Sequence, residues 1–261
     1  MNAGKELKEI FFQTKRLITA YEEVGLDPPM LPRNALDFPD SAMLKKTTSP
    51  TLERSDPREE TARELPEKKP LPPQFGSLEA LRTYIGDCQR CGLHKERNNL
   101  VFGEGNPDAK LVFVGEGPGF DEDREGRPFV GKSGQLLTRI IENGMGLTRD
   151  AVYICNVVKC RPPGNRDPKP DEVTVCLPFL KSQLDIIKPR VICCLGRVAC
   201  QALFGTDFKI TGKRGKWQTY EGIPLMPTFH PAYLLRNDAA KRPVWEDMKK
   251  IMQKLGLEVK P

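Results

Sequence analysis

Cys88 and Cys91 form a C-x-x-C pair, and Cys160 and Cys176 bracket the irregular segment RPPGNRDPKPDEVTV. Thiolates are soft ligands that suit zinc and iron–sulfur clusters. A zinc ribbon repeats C-x-x-C, and this set contains it once. A four-iron cluster accepts ligands spread along the chain, because each thiolate binds a different iron corner. The spacing favours a [4Fe–4S] cluster and leaves zinc open. The chain has eight cysteines in 261 residues. Cys155, Cys193 and Cys194 lie in apolar runs and Cys200 in a short helical pattern, where free cysteine packs as a small hydrophobe. A chain of this length without an export signal is not expected to carry disulfides. His94 follows the C-x-x-C pair closely, but four cysteines already complete a ligand set, so it reads as a loop residue.

A second group of reactive types is scattered in sequence: Glu116, Asn156 and His230. Each stands at or just past the end of an apolar run. Four such runs read as buried strands: 110–114, 152–158, 191–195 and 223–229. Helical patterns fall between and around them. One covers 77–88 with Ser77 as cap. Another is SGQLLTRIIENG with Ser133 as cap and Gly144 as terminator. Further helices are predicted over 171–187, 197–203 and 240–255. Strand–helix alternation implies an α/β fold: a central, four-stranded, mainly parallel sheet with helices on both faces. In open sheets of this kind the ligand crevice lies beyond the carboxyl ends of the strands. A carboxylate, an amide and an imidazole would then meet in one pocket. Taken singly, each could be a capping or loop-fixing residue; together they point to a site.

The first seventy-odd residues differ from the rest. Residues 5–24 have the apolar spacing of an amphipathic helix, with Leu7, Ile10, Phe11, Leu17, Ile18 and Tyr21. Residues 25–76 are rich in proline and charge and poor in aromatics, which predicts a disordered linker. The organisation expected is therefore 1–24 helix, 25–76 linker and 77–261 α/β domain. No apolar run reaches the roughly 18 residues that a membrane helix needs. An intracellular, cytoplasmic and reducing location is expected, with no membrane association. The formal charge is +6, compatible with a polyanionic partner without requiring one.

The segments GEGPGFDEDREGRPFVGKSGQLL (115–137), NVVKCRPPGNRDPKPDEVTVC (156–176), KRGKW (213–217) and HPAYLLR (230–236) occur in that order. In them, residues 77–255 resemble the family 4 uracil-DNA glycosylases, the iron–sulfur branch of the uracil-DNA glycosylase superfamily. The resemblance implies an enzyme of base excision repair that releases uracil from single- or double-stranded DNA. It implies that Cys88, Cys91, Cys160 and Cys176 hold a [4Fe–4S] cluster with a structural role. Gly115, Glu116 and Gly117 would line the uracil pocket, Phe129 would stack on the flipped base, and Asn156 would read its edge. His230 would face the uracil carbonyl. The HPAYLLR loop would enter the minor groove with Leu234 or Leu235 near the vacated space.

The chemistry explains the choice of types. An imidazole donor stabilises the departing uracil anion, as an oxyanion hole does. A carboxylate stabilises the sugar cation or orients water; Glu116 is the first choice, with Asn165 a second candidate for positioning water. Glu122 is the candidate for crowding the edge where thymine carries its methyl group. Lys213, Arg214, Lys216, Arg236 and Lys241 fall in loops near the expected crevice and would contact phosphates. A monomer is expected, with a replication or repair protein docking through the N-terminal extension. Two rivals are a histidine-trapping branch of the superfamily and a non-enzymatic metal protein that binds nucleic acid. The first carries a histidine in the loop before the last strand, and KITGKRGKW has none.

Overall fold

The computed structural model describes residues 74–259. The expected helix at 5–24, almost all of the 25–76 linker and any partner docking there lie outside the described residues. The few linker residues inside begin the packed domain: the Phe75 ring stands 4.9 Å from that of Tyr84.

Six strands form one mixed sheet in the order β1-β3-β2-β4-β6-β5. They are β1 (Glu104–Gly105), β2 (Leu111–Gly115), β3 (Tyr153–Asn156), β4 (Val191–Leu195), β5 (Gln218–Tyr220) and β6 (Ile223–Thr228). The central four, β3-β2-β4-β6, are parallel and are the four expected from sequence. The two edge strands are antiparallel additions. At two and three residues they are too short to show alternation.

Side chains alternate across the central strands, so both faces of the sheet must be covered. Val112, Val114, Ile192 and Cys194 face α1 (Leu78–Ile85), α4 (Pro170–Ile187) and α5 (Arg197–Phe204). Leu111, Phe113, Cys193 and Met226 face α3 (Lys132–Arg139), α7 (Pro231–Leu234) and α8 (Lys241–Leu255). Two helices complete the set, α2 (Phe120–Glu125) and α6 (Ile210–Lys213), and with α7 they lie in segments that read as loops. Cys155, Cys193, Cys194 and Cys200 are all buried, as expected of packing residues.

Ser77 caps α1 as expected, its Oγ accepting from the Ala80 N–H at 3.1 Å. The cap of α3 is a correction. Gly131 holds that position, and Ser133 lies inside the helix. No side chain caps this helix; Glu122 of α2 instead accepts from the Val130 and Gly131 N–H groups just before it. A π-type turn, Ile140–Gly144, continues α3 and ends at the expected glycine.

Candidate active site

The loops that follow β2, β3 and β6 leave the same rim of the sheet. Gly115 ends β2 and pairs in register with Asn156 at the end of β3. A methyl group on Gly115 would overlap Asn156 Oδ1 and come within 2.6 Å of Phe129 Cζ. Glycine is therefore what lets an amide and an aromatic ring meet above this strand end. The Phe129 ring lies 5.6 Å from the His230 ring, centroid to centroid. Gly196, after β4, has φ +92°, and a methyl group there would stand 2.9 Å from His230 Cβ. The three expected ligands of a pyrimidine, Phe129, Asn156 and His230, thus form one cluster.

Asn156 is 1% exposed, and its Oδ1 is buried without a hydrogen-bond partner. Buried polar atoms are almost always paired, so an orphaned acceptor marks a place for a donor from outside. Lys159 holds the backbone behind it. Its buried ammonium donates to the Asn156 carbonyl at 2.7 Å and to Gln183 Oε1 at 2.6 Å. Gln183 in turn donates to the Phe102 carbonyl at 2.9 Å.

Phe129 is a buried non-glycine residue with φ +54°, in the left-handed region. Such strain persists only where the surroundings impose it. Glu122 imposes it here. Its Oε1 accepts from the Val130 and Gly131 N–H groups, each at 2.9 Å, and its Oε2 accepts from Gly119 at 3.1 Å. Gly134 in α3 closes the other side, since a methyl group there would overlap the Phe129 carbonyl. The structure gives Glu122 a loop-holding task that the sequence did not reveal. Glu122→Ala removes the acceptor of three half-buried N–H groups, at about 1.5–3 kcal/mol for bonds to a charged acceptor. Urea melts are expected to show a loss of that order. An unchanged melt would refute the role.

His230 Nδ1 accepts from the Ala232 N–H at 3.1 Å. The ring proton therefore resides on Nε2. Burial, with a smaller push from Arg236, lowers the His230 pKa to about 4, so the ring is neutral. Glu116 follows Gly115 directly. Burial first, and then the nearby Asp167, raise its pKa to about 7, while Arg197 draws it down. Asp167 and Arg197 pair with each other at 2.5 Å. They also line a groove of about 1180 Å³ along α4 and α5, which holds none of Phe129, Asn156 and His230.

Three expectations need correction. Asn165 is exposed and its Oδ1 is taken by Arg161 Nε at 2.7 Å, so it is not placed to position water in this pocket. Leu234 is 1% exposed within the core, whereas Leu235 is 45% exposed, so of the two only Leu235 is at the surface. Arg214 is not a free phosphate ligand. It donates to both oxygens of the buried Asp247, at 2.5 and 3.1 Å, and to the Pro243 carbonyl at 2.6 Å. Lys213, Lys216 and Arg236 are exposed; Lys241 pairs with Asp238 at 2.7 Å.

On the α1/α4 side, Cys160 and Cys176 join the core and Cys88 and Cys91 pack against it. Arg97 Nη1 donates to Cys160 Sγ at 3.1 Å and to the Cys88 carbonyl at 2.6 Å. Arg90 Nη1 donates to Cys88 Sγ at 3.4 Å. The Lys159 N–H faces Cys176, whose thiol burial pushes up to about 12. Among the described residues no three His, Cys, Asp or Glu side chains close on a single-ion site.

The fold is a parallel-sheet α/β domain with a polar cluster at one rim, and residues 102–251 match the family model described as the uracil DNA glycosylase superfamily. The chain is 48% identical to a type-4 uracil-DNA glycosylase of Sulfurisphaera tokodaii over 185 residues, 68% of this chain and 84% of that relative. It is 48% identical to the type-4 enzyme of Thermotoga maritima over 179 residues, 66% of this chain and 92% of that one. The chain belongs to the type-4 uracil-DNA glycosylases, a hydrolase family within that superfamily.

Proposed function

We propose that this chain hydrolyses the N-glycosidic bond of uracil in DNA and leaves an abasic site, after the base has turned out of the strand into the Phe129–Asn156–His230 pocket. The observation that carries the reading is the orphaned Asn156 Oδ1, buried beside Gly115 and the Phe129 ring. Uracil presents an N3–H donor and an O4 acceptor side by side. An amide meets both, with Oδ1 accepting and Nδ2 donating. Cytosine reverses the pattern and would leave buried groups unpaired, which discriminates strongly. The Phe129 face supplies stacking that offsets the few kcal/mol needed to extrude a base. Rejection of thymine rests on the rigid wall that Glu122 maintains.

As the bond breaks, negative charge grows on the uracil O2. A neutral His230 donating from Nε2 stabilises that charge without itself having to lose a proton to bulk water. Glu116, beside the pocket, serves as the carboxylate that faces the sugar cation or orients water. With its pKa at about 7, the ionised form grows as pH rises through neutrality. The rate is expected to climb with pH to a plateau above about 8, one unit past the Glu116 pKa, and Glu116→Gln is expected to flatten the profile and lower kcat by about 10²-fold or more. A climbing profile in Glu116→Gln would remove this role. Leu235 occupies the space that the base leaves, while Lys213, Lys216 and Arg236 contact phosphates.

Cys88, Cys91, Cys160 and Cys176, which belong to one packed cluster, would hold a [4Fe–4S] cluster, the group the type-4 family binds. Arginine N–H groups point at two of the sulfurs, as suits thiolates carrying negative charge. Cys88 and Cys91 before β1, with Cys160 just after β3 and Cys176 within α4, would hold the cluster, which would brace the chain that carries Asn156. No helix among the described residues is long and apolar enough to cross a membrane. Uracil release from a defined oligonucleotide, measured with the absorption spectrum of the purified protein, tests the whole reading. Free uracil with an abasic strand and a cluster absorption band are expected. Covalent protein–DNA adducts, or no uracil at all, would overturn it.

A further inference from the structure

Phe120 opens α2 just past the Gly115–Gly119 loop and is 54% exposed. A single exposed aromatic needs no explanation. This one has the Arg161 guanidinium 5.1 Å from its ring centroid. Arg161 is oriented in turn, its Nε donating to Asn165 Oδ1 at 2.7 Å, and Asn165 adopts φ +56° to reach it. Among the described residues Arg161 has no carboxylate partner, and its two Nη groups donate to no protein acceptor. The arrangement sits on the pocket rim. The neighbouring chain is pressed against Gly117, where a methyl group would lie 2.7 Å from Val158 Cγ2 and 3.8 Å from Pro162 Cδ. The ring comes from the loop after β2 and the guanidinium from the loop after β3, the two strands whose ends form the pocket floor.

We propose that Phe120 and Arg161 form a stacking platform for a nucleobase next to the extruded uracil on the same strand, with the Arg161 Nη groups reaching the adjoining phosphate. The proposal rests on the glycosylase reading and adds a subsite to it. A π face backed by a fixed cation is the chemistry that binds single-stranded nucleic acid irrespective of sequence. When the uracil leaves the stack, its neighbour loses a stacking partner, and the platform replaces it. Asn165 thereby acquires a role as the residue that orients Arg161.

The test is uracil release from single-stranded oligonucleotides that carry a normal base or an abasic spacer on either side of the uracil. Phe120→Ala is expected to lower kcat/KM by about 5- to 150-fold, the loss of one stacked base at about 1–3 kcal/mol. An abasic spacer on the platform side is expected to lower the wild-type value similarly and to leave Phe120→Ala unaffected. Phe120→Trp is expected to restore the wild-type pattern, and inhibition by free uracil to be equal in all three proteins. The side chain is exposed, so its loss should not unfold the domain. Equal kcat/KM for wild type and Phe120→Ala on every oligonucleotide would overturn the platform alone. So would additive losses from variant and spacer on both sides. Absence of uracil release by the wild type would overturn the glycosylase reading and this subsite with it.

Discussion

His230→Leu is expected to lower kcat for uracil release by about 10²- to 10³-fold, the effect of deleting one preorganised donor to a developing oxyanion. Leucine matches the ring roughly in volume and removes its N–H. Its packing on Gly196 and beside Phe129 should keep the pocket shaped. Inhibition by free uracil, which carries no developing charge, should weaken far less than kcat falls. The ratio of the two losses separates transition-state stabilisation from plain binding. The pH profile adds a second check. With its pKa at about 4, the imidazole is neutral from mild acid upward. The wild-type profile should therefore show no His230 limb between about pH 5 and 9, and the limb near 7 should belong to Glu116. A limb near 6.5 that disappears in His230→Leu would mean that the imidazolium is the working form, and the proposed role would fail.

Asp247→Ala should give the largest loss of stability of any single change near the site. The carboxylate is fully buried on α8, yet it binds across the domain. It accepts from Thr228 Oγ1 at 2.6 Å at the end of β6 and from Arg214 in the loop before β5. Lys250 reinforces the same loop by donating to the Gly215 carbonyl at 2.7 Å. Removing the carboxylate leaves Arg214 without its counter-charge, with only the Pro243 carbonyl as acceptor, and the Thr228 hydroxyl without its acceptor. Breaking a buried ion pair from one side costs about 3–5 kcal/mol. For a domain of this size each kcal/mol lowers Tm by about 2–4 °C, so a drop of roughly 6–20 °C is expected by calorimetry. Thr228 is two residues before His230, so kcat should fall as well. Replacing Arg214 together with Asp247 by apolar residues should recover part of the stability. A shift under about 2 °C in Asp247→Ala would show that the network contributes little.

These two expectations came from different sources. His230 is legible in the sequence itself. A histidine ending an apolar run, in a chain whose other runs also end in Gly-Glu and Asn, is an unusual juxtaposition, and the HPAYLLR segment around it resembles that of a known family. Asp247 was not legible. In sequence it is one acid among the charges of a terminal amphipathic helix, and only the packing shows that it points inward. The same holds for Glu122, whose carboxylate serves backbone donors eight and nine residues away. Arg214 shows the converse error, because a basic run looks free for phosphate until its buried partner is known.

Sequence alone determined the four parallel strands and their flanking helices, and it named Phe129, Asn156 and His230, which the fold brings together. Those features live in local periodicity and in motifs that the chain carries contiguously. Tertiary structure alone decided which of Leu234 and Leu235 faces solvent, that Asn165 serves Arg161, that His230 is a neutral Nε2 donor, and that Asn156 keeps an unpaired acceptor. Burial, tautomer and hydrogen-bond satisfaction depend on neighbours brought together from distant segments, and no spacing along one strand of sequence encodes them.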